Sequence, residues 1–188
     1  MKLWKITLPF FIFLLGCDLF TPRTPEKPAS ETSQFEPPVT PEIVLDNLKN
    51  AIISSNVDNY IRCFVDSAVS VQSFTFIPSG NFQGLFQSWS LEDERRYFQN
   101  LGKPLYSVPI LLLTNLNSEN RTSTSVEFTT NYLLIYPHQR TNITKQVQGY
   151  MHLFLSIDPQ QRWSIYRWED SKTTSDSTWS YLKYNFNF

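Results

Sequence analysis

Only five glycines are scattered through the 188 residues, so there is no Gly-rich loop to cradle a phosphate. Two cysteines, Cys17 and Cys63, and two histidines, His138 and His152, never fall into a zinc-ligand spacing. If residues 122–136 and 146–157 pair as strands, His152 lies opposite Thr129 to Asn131, far along the ladder from His138, and the two cannot share a metal. No metal or cofactor is expected. There is no Gly-x-Ser-x-Gly elbow, and Cys63 has no evident His partner, which argues against the common nucleophilic hydrolases. Basic residues never cluster beyond Arg95-Arg96, and 16 Lys+Arg face 17 Asp+Glu, so the positive stripe of a nucleic-acid binder is missing. The longest apolar run, Ile6 to Leu15, is about ten residues against the ~20 needed to span a bilayer.

What is present is a chain with 41% hydrophobic and 15% aromatic residues, enough for a core in one domain. Lys2 and Lys5 followed by the short apolar run read as a secretory signal peptide over residues 1–16. Leu14-Leu15-Gly16-Cys17 resembles the bacterial lipobox. The resemblance implies cleavage before Cys17 and acyl chains on that residue. At about 0.8 kcal/mol per buried CH₂, two or three chains hold a domain at a membrane. The expected location is therefore the bacterial cell envelope, on the extracytoplasmic side of a membrane. With Cys17 acylated, Cys63 has no disulfide partner, and its place beside Tyr60 and Phe64 reads as a small buried residue.

Residues 17–40 carry Pro22, Pro25, Pro28, Pro37 and Pro38 among Ser, Thr and Glu with no hydrophobic period, and are expected to be an extended tether. A domain is expected over 41–188. Thr40-Pro41-Glu42 reads as a helix start, and Val44, Leu45, Leu48 and Ile52 keep helical period to about Ser55. A short helix capped by Asp58 is expected to end at Asp66, followed by a strand over 70–77. Ser90 and Asp93 form a capping box ahead of a third helix that Gly102 terminates. From there the pattern is β: 106–116, 122–136, 146–157 and 162–170, with 177–186 as a candidate last strand. In 146–157, Val147, Met151, Leu153, Leu155 and Ile157 share a face with Gly149, which suggests a bend or bulge there.

This order of elements, with "AIISSNVDNYIRCFVDSAV" as its local match, resembles the nuclear-transport-factor-2-like (NTF2-like) family that includes SnoaL-type cyclases and ketosteroid isomerases. The resemblance implies an α+β cone. About three N-terminal helices would pack on a strongly bent, mainly antiparallel sheet of five to six strands, leaving an apolar pocket. Such a pocket would be lined by Tyr60, Phe64, Trp89, Phe98 and Trp168, although bulky aromatics on a curved sheet also simply fill a core. The isomerase relatives use a carboxylate on the early strand and a helix Tyr. This chain has neither at those places, which leaves Asp66, Glu127 and Glu169 as candidate acids, with Arg162 or Arg167 as cross-strand company.

The expectation is a membrane-anchored envelope lipoprotein that binds a partner protein or a small apolar ligand without catalysis. The alternatives are an isomerase-like enzyme and a homodimeric scaffold, since one fold hosts many functions.

Overall fold

The computed structural model describes residues 35–86 and 88–187. The expected signal peptide, Cys17 and most of the expected tether lie outside the described residues. The tether's last residues, 35–40, belong to the fold instead. Asn47, buried on the first helix, accepts from the Glu36 amide (3.0 Å) and donates to its carbonyl (2.8 Å). The Trp163 amide donates to the Pro38 carbonyl (2.8 Å), and the Arg62 guanidinium lies 3.8 Å over the Phe35 ring. A Pro pair keeps this stretch extended, so its carbonyls face neighbours that need acceptors.

Helix α1, Pro41–Ile53, starts as expected, with Thr40 extended and Pro41 in the first turn, though the Thr40 side chain makes no capping bond. Ser55 is left-handed (φ 53°). Asn56 then both stops α1 and caps α2, Val57–Ile61, by accepting from the Asn59 amide. The expected cap Asp58 sits in the first turn of α2, and the helix ends well before Asp66. The reason is tertiary: the Val65 amide and the Cys63 carbonyl bond to Ile165 across a parallel bridge, which removes them from any helix. Strand β1 is only Thr75–Ile77. A 3₁₀ segment, Gly80–Leu85, precedes α3, Leu91–Leu101, where both bonds of the Ser90/Asp93 capping box form.

Strands β2 (Ile110–Glu119), β3 (Ser125–Ile135), β4 (Gln146–Ile157) and β5 (Trp163–Ser171) form an antiparallel meander, and β1 joins β5 in parallel, giving the order β1-β5-β4-β3-β2. The sheet is therefore five-stranded and mixed. Residues 179–186 are not a strand but helix α4, Trp179–Phe186, which packs on α3 and β4. The pattern Trp179, Ser180, Leu182, Lys183, Phe186 that α4 buries has helical spacing, and apolar residues on both sides of Lys183 obscured it.

The ladder runs without interruption through Gly149, so the suggested bulge is not there. Glycine is required for a different reason: a Cβ would lie 2.6 Å from the Ser171 carbonyl oxygen and 2.7 Å from the Tyr132 hydroxyl. The bulges sit between Thr114 and Asn117 on β2 and opposite Phe154–Leu155 on β5. The second decides the site. Trp163 and Ile165 face the helices. The extra residue Tyr166 then shifts the phase, so Trp168 and Asp170 point inward and Glu169 outward.

Candidate functional site

Three elements bring charged side chains into the helix-covered interior. On α3, Glu94 precedes Phe98 by four residues and Leu101 by seven, which puts it on the buried face. On β5 the bulge turns Asp170 inward beside Trp168. On α4, Lys183 follows Trp179 by four residues on the same face. Glu94 and Lys183 are fully buried (0% exposed), and Asp170 nearly so (2%).

Glu94 is held on both oxygens. Tyr60 donates to Oε1 (2.5 Å), while Trp89 Nε1 and Lys183 Nζ donate to Oε2 (2.7 Å each). The Lys183 ammonium lies 3.6 Å from the ring centre of Phe76 and 3.9 Å from that of Trp168, with Trp89 and Tyr97 at 5.8 and 5.9 Å. Asp170 forms a second knot. Tyr132 donates to Oδ1 (2.7 Å), and the Ser180 amide and hydroxyl donate to Oδ2 (2.7 and 2.5 Å). The Tyr132 oxygen accepts from the Trp179 amide (2.6 Å), and Trp179 Nε1 donates to the Tyr97 oxygen (3.0 Å). Trp168 Nε1 is buried without an acceptor among the described residues.

Burial pushes the Tyr60, Tyr97 and Tyr132 hydroxyls well above the ordinary tyrosine range, and the nearby carboxylates add to the effect, so all three stay neutral. Burial pulls the Lys183 ammonium down to about 8 against the opposing pull of Glu94, which leaves it charged near neutrality. The arrangement thus surrounds a cation with aromatic faces and one carboxylate, which offset only part of its desolvation.

The acids named from sequence lie elsewhere. Asp66 is exposed and accepts from the Ala68 amide in a local turn. Glu127 and Glu169 are on the outer face of the sheet and flank His152. Glu127 Oε2 is 2.8 Å from Nε2 and Glu169 Oε2 is 3.8 Å from Nδ1, while Arg167 pairs with Glu169. None of the three reaches the interior, where the buried acids are Glu94 and Asp170.

The aromatics named as pocket lining pack against one another. Tyr60 stacks on Phe98 (4.0 Å) and meets Phe64 edge-on (5.2 Å), and Phe64 stacks with Trp168 (6.4 Å). Trp89, the fifth, is half-buried and binds Glu94. A shallow depression of about 400 Å³ lies instead at the β2–β3–β4 surface, lined by Leu112, Thr114, Asn131, Leu133 and Gln148 among others.

Burial pushes the Cys63 thiol far above its ordinary range, which makes it inert. Buried His138 sits against Thr144 and Lys145, and desolvation lowers its pKa.

Sequence reasoning missed Glu94, Asp170, Lys183 and Tyr132. The signal for Glu94 was legible: an acid inside the α3 apolar stripe. Asp170 was hidden, because counting by two from Trp163 and Ile165 points Glu169 inward and Asp170 out.

No protein-family model and no curated protein matches the sequence. Among solved structures the chain is similar to a candidate scytalone dehydratase from Novosphingobium aromaticivorans, with 11% identity, a TM-score of 0.57, and cover of 72% of this chain and 83% of that one. It is also similar to a candidate aromatic ring hydroxylase from the same organism (14%, TM-score 0.55, 75% and 92%) and to an NTF2-like protein from Cytophaga hutchinsonii (10%, TM-score 0.52, 69% and 93%). At such identities the likeness establishes the fold alone, which is the α+β NTF2-like cone.

Proposed function

We propose that the protein is a lipid-anchored component of a bacterial cell envelope whose cone serves binding rather than catalysis. The observation that carries the non-catalytic reading is the state of Glu94. This fully buried acid has both oxygens engaged by Tyr60, Trp89 and Lys183, and the ion pair has no solvent exposure. A general base must reach a substrate proton with a free lone pair, and this one is closed off by its own chain. The anchor rests on Leu14-Leu15-Gly16-Cys17 behind a short apolar run. Exposed Leu105, Tyr106, Val108, Ile110 and Leu112, along and ahead of edge strand β2, offer apolar contact to a partner.

A second reading is an enzyme of the cone. It is favoured by the two interior acids, each bonded to a tyrosine, and by the company of a candidate dehydratase and a candidate hydroxylase among the similar structures. It requires α4 to leave the interior before any substrate enters.

Mass spectrometry of the mature N-terminus tests the anchor. The expected species begins at Cys17 and carries a diacylglyceryl thioether, and Cys17→Ala releases the protein from the membrane fraction. A free thiol at Cys17, or a chain still beginning at Met1, overturns it. Pull-down of the intact protein from solubilised envelope, with Tyr106→Lys as control, tests the binding role. Turnover of an enolisable ketone or a hydroxylated aromatic, lost in Glu94→Gln, would replace that role with the enzyme reading.

A further inference from the structure

An ammonium group has a distinctive set of partners: the faces of aromatic rings, which carry negative quadrupole density, and a carboxylate that accepts its protons. The cone holds that set at the Lys183 nitrogen. Phe76 from β1 and Trp168 from β5 present their rings at 3.6 and 3.9 Å, Trp89 and Tyr97 stand farther out, and Glu94 Oε2 accepts at 2.7 Å. These partners come from three elements, β1, α3 and β5, and the loop before α3, none of them α4, so the recognising atoms belong to the cone and the recognised group to α4. Burying an ion pair is a poor way to gain stability, because desolvation of two charges cancels most of their attraction, and an apolar pair of similar volume does as well or better. A cage of this composition is therefore more than core filling.

We propose that the interior of the cone is a recognition site for an alkylammonium group, and that α4 occupies it in this state as a tethered ligand through Lys183. The helix is docked by polar bonds that can be exchanged, the Ser180 amide and hydroxyl on Asp170 and the Trp179 amide on Tyr132, and by the buried side chains of Trp179, Leu182 and Phe186. It follows the largely exposed turn at 171–177, which is tied to β4 where the Gln148 amide donates to the Ser177 carbonyl (2.9 Å). A ligand fitting the vacated cage carries a primary amine on a short unbranched alkyl chain. The cage admits a cation and rejects an anion through Glu94, and it takes the methylenes against Phe76 and Trp168. Because Lys183 is covalently attached, its effective concentration exceeds that of a dilute free amine, and the wild-type cone responds weakly to one. This inference rests on the binding reading of the cone and is independent of the anchor.

The test uses the full chain in mild detergent with Lys183→Ala, which removes a propylammonium-sized group, and n-propylammonium chloride as the probe. The expected result is a saturable rise in Tm of roughly 3–6 °C at ten times the apparent Kd. The wild type should show a much smaller rise, and the isosteric neutral n-propanol little in either. Glu94→Gln in the same background should weaken the apparent Kd by about tenfold or more. No rise, an equal rise with propanol, or an equal rise in wild type overturns the proposal. Should Lys183→Ala not fold alone, the readout becomes recovery of the near-ultraviolet circular dichroism on refolding. Recovery with propylammonium and not with propanol supports the site, and failure with propylammonium or recovery with both overturns it. Failure here alongside a lipid on Cys17 removes this ligand and leaves the envelope binding role. A positive response alongside a free Cys17 thiol removes only the anchor.

Discussion

The two faces of one sheet carry the same chemistry in different surroundings. Inside, Glu94 meets Lys183 and Asp170 meets Tyr132 and Ser180, with the Glu94–Lys183 pair entirely shut from water. Outside, Glu127, Glu169, Arg167 and His152 meet across β3, β4 and β5 with roughly a quarter of the Glu127, Glu169 and His152 side chains and nearly half of Arg167 (45%) still accessible. The Coulomb attraction at contact is several-fold stronger in the interior, but so is the loss of hydration. The outer cluster can therefore lose a member cheaply. The inner one cannot, because the partner left behind has no water to turn to.

The largest expected effect follows directly. Lys183→Met should destabilise by about 3–5 kcal/mol in urea unfolding, since it strands a buried carboxylate. The double variant Glu94→Gln/Lys183→Met should cost clearly less than the sum of the two single changes, and full additivity would mean the two faces do not differ as described. Next, Gly149→Ala should cost roughly 1–3 kcal/mol by driving a methyl into the Ser171 carbonyl and the Tyr132 hydroxyl. Tyr132→Phe, which strands the Trp179 amide and one oxygen of Asp170, should cost about 1–3 kcal/mol.

The interior pair also sets a pH dependence. Lys183 loses its proton near 8 when folded and near its ordinary 10.5 when unfolded. Between those values the unfolded chain binds more protons, so this residue's contribution to stability is present above 10.5 and is lost as pH falls through 8. Wild type should gain stability relative to Lys183→Met from pH 8 to about 10. Above about 10 the buried tyrosines reverse the trend in both proteins, because their folded pKa values are raised and the unfolded chain ionises first. A parallel pH profile for the two proteins would refute the depressed lysine. The smallest effect is on the outer face, where Glu127→Gln should change stability by less than about 1 kcal/mol.

Much of the architecture was legible because it is written in local signals. Thr40-Pro41-Glu42 begins a helix through the fixed backbone of Pro41, and Ser90-Leu91-Glu92-Asp93 through its capping box. The alternation of Val147, Met151, Leu153 and Leu155 marks a half-covered strand whose observed limits, Gln146–Ile157, match the expected ones. Illegible were the features that another part of the chain imposes. Residues 63–65 leave the helix because Ile165 takes the Cys63 carbonyl and the Val65 amide. Residues 35–40 join the domain because Asn47 and Trp163 bind them. Trp179–Phe186 is a helix because it must fit the cone with Lys183 inward, although aromatic residues at that density favour strand.

The amino-acid order alone determined the class of fold, the starts of α1 and α3, the faces of β4, and the Leu14-Leu15-Gly16-Cys17 motif on which the proposed anchor rests. Each of these depends on residues within about ten positions of one another. The interior site was decided only by the tertiary structure. Glu94, Asp170 and Lys183 are distant in sequence, one of them faces inward only because of a bulge, and no local pattern records which buried charge will find which partner.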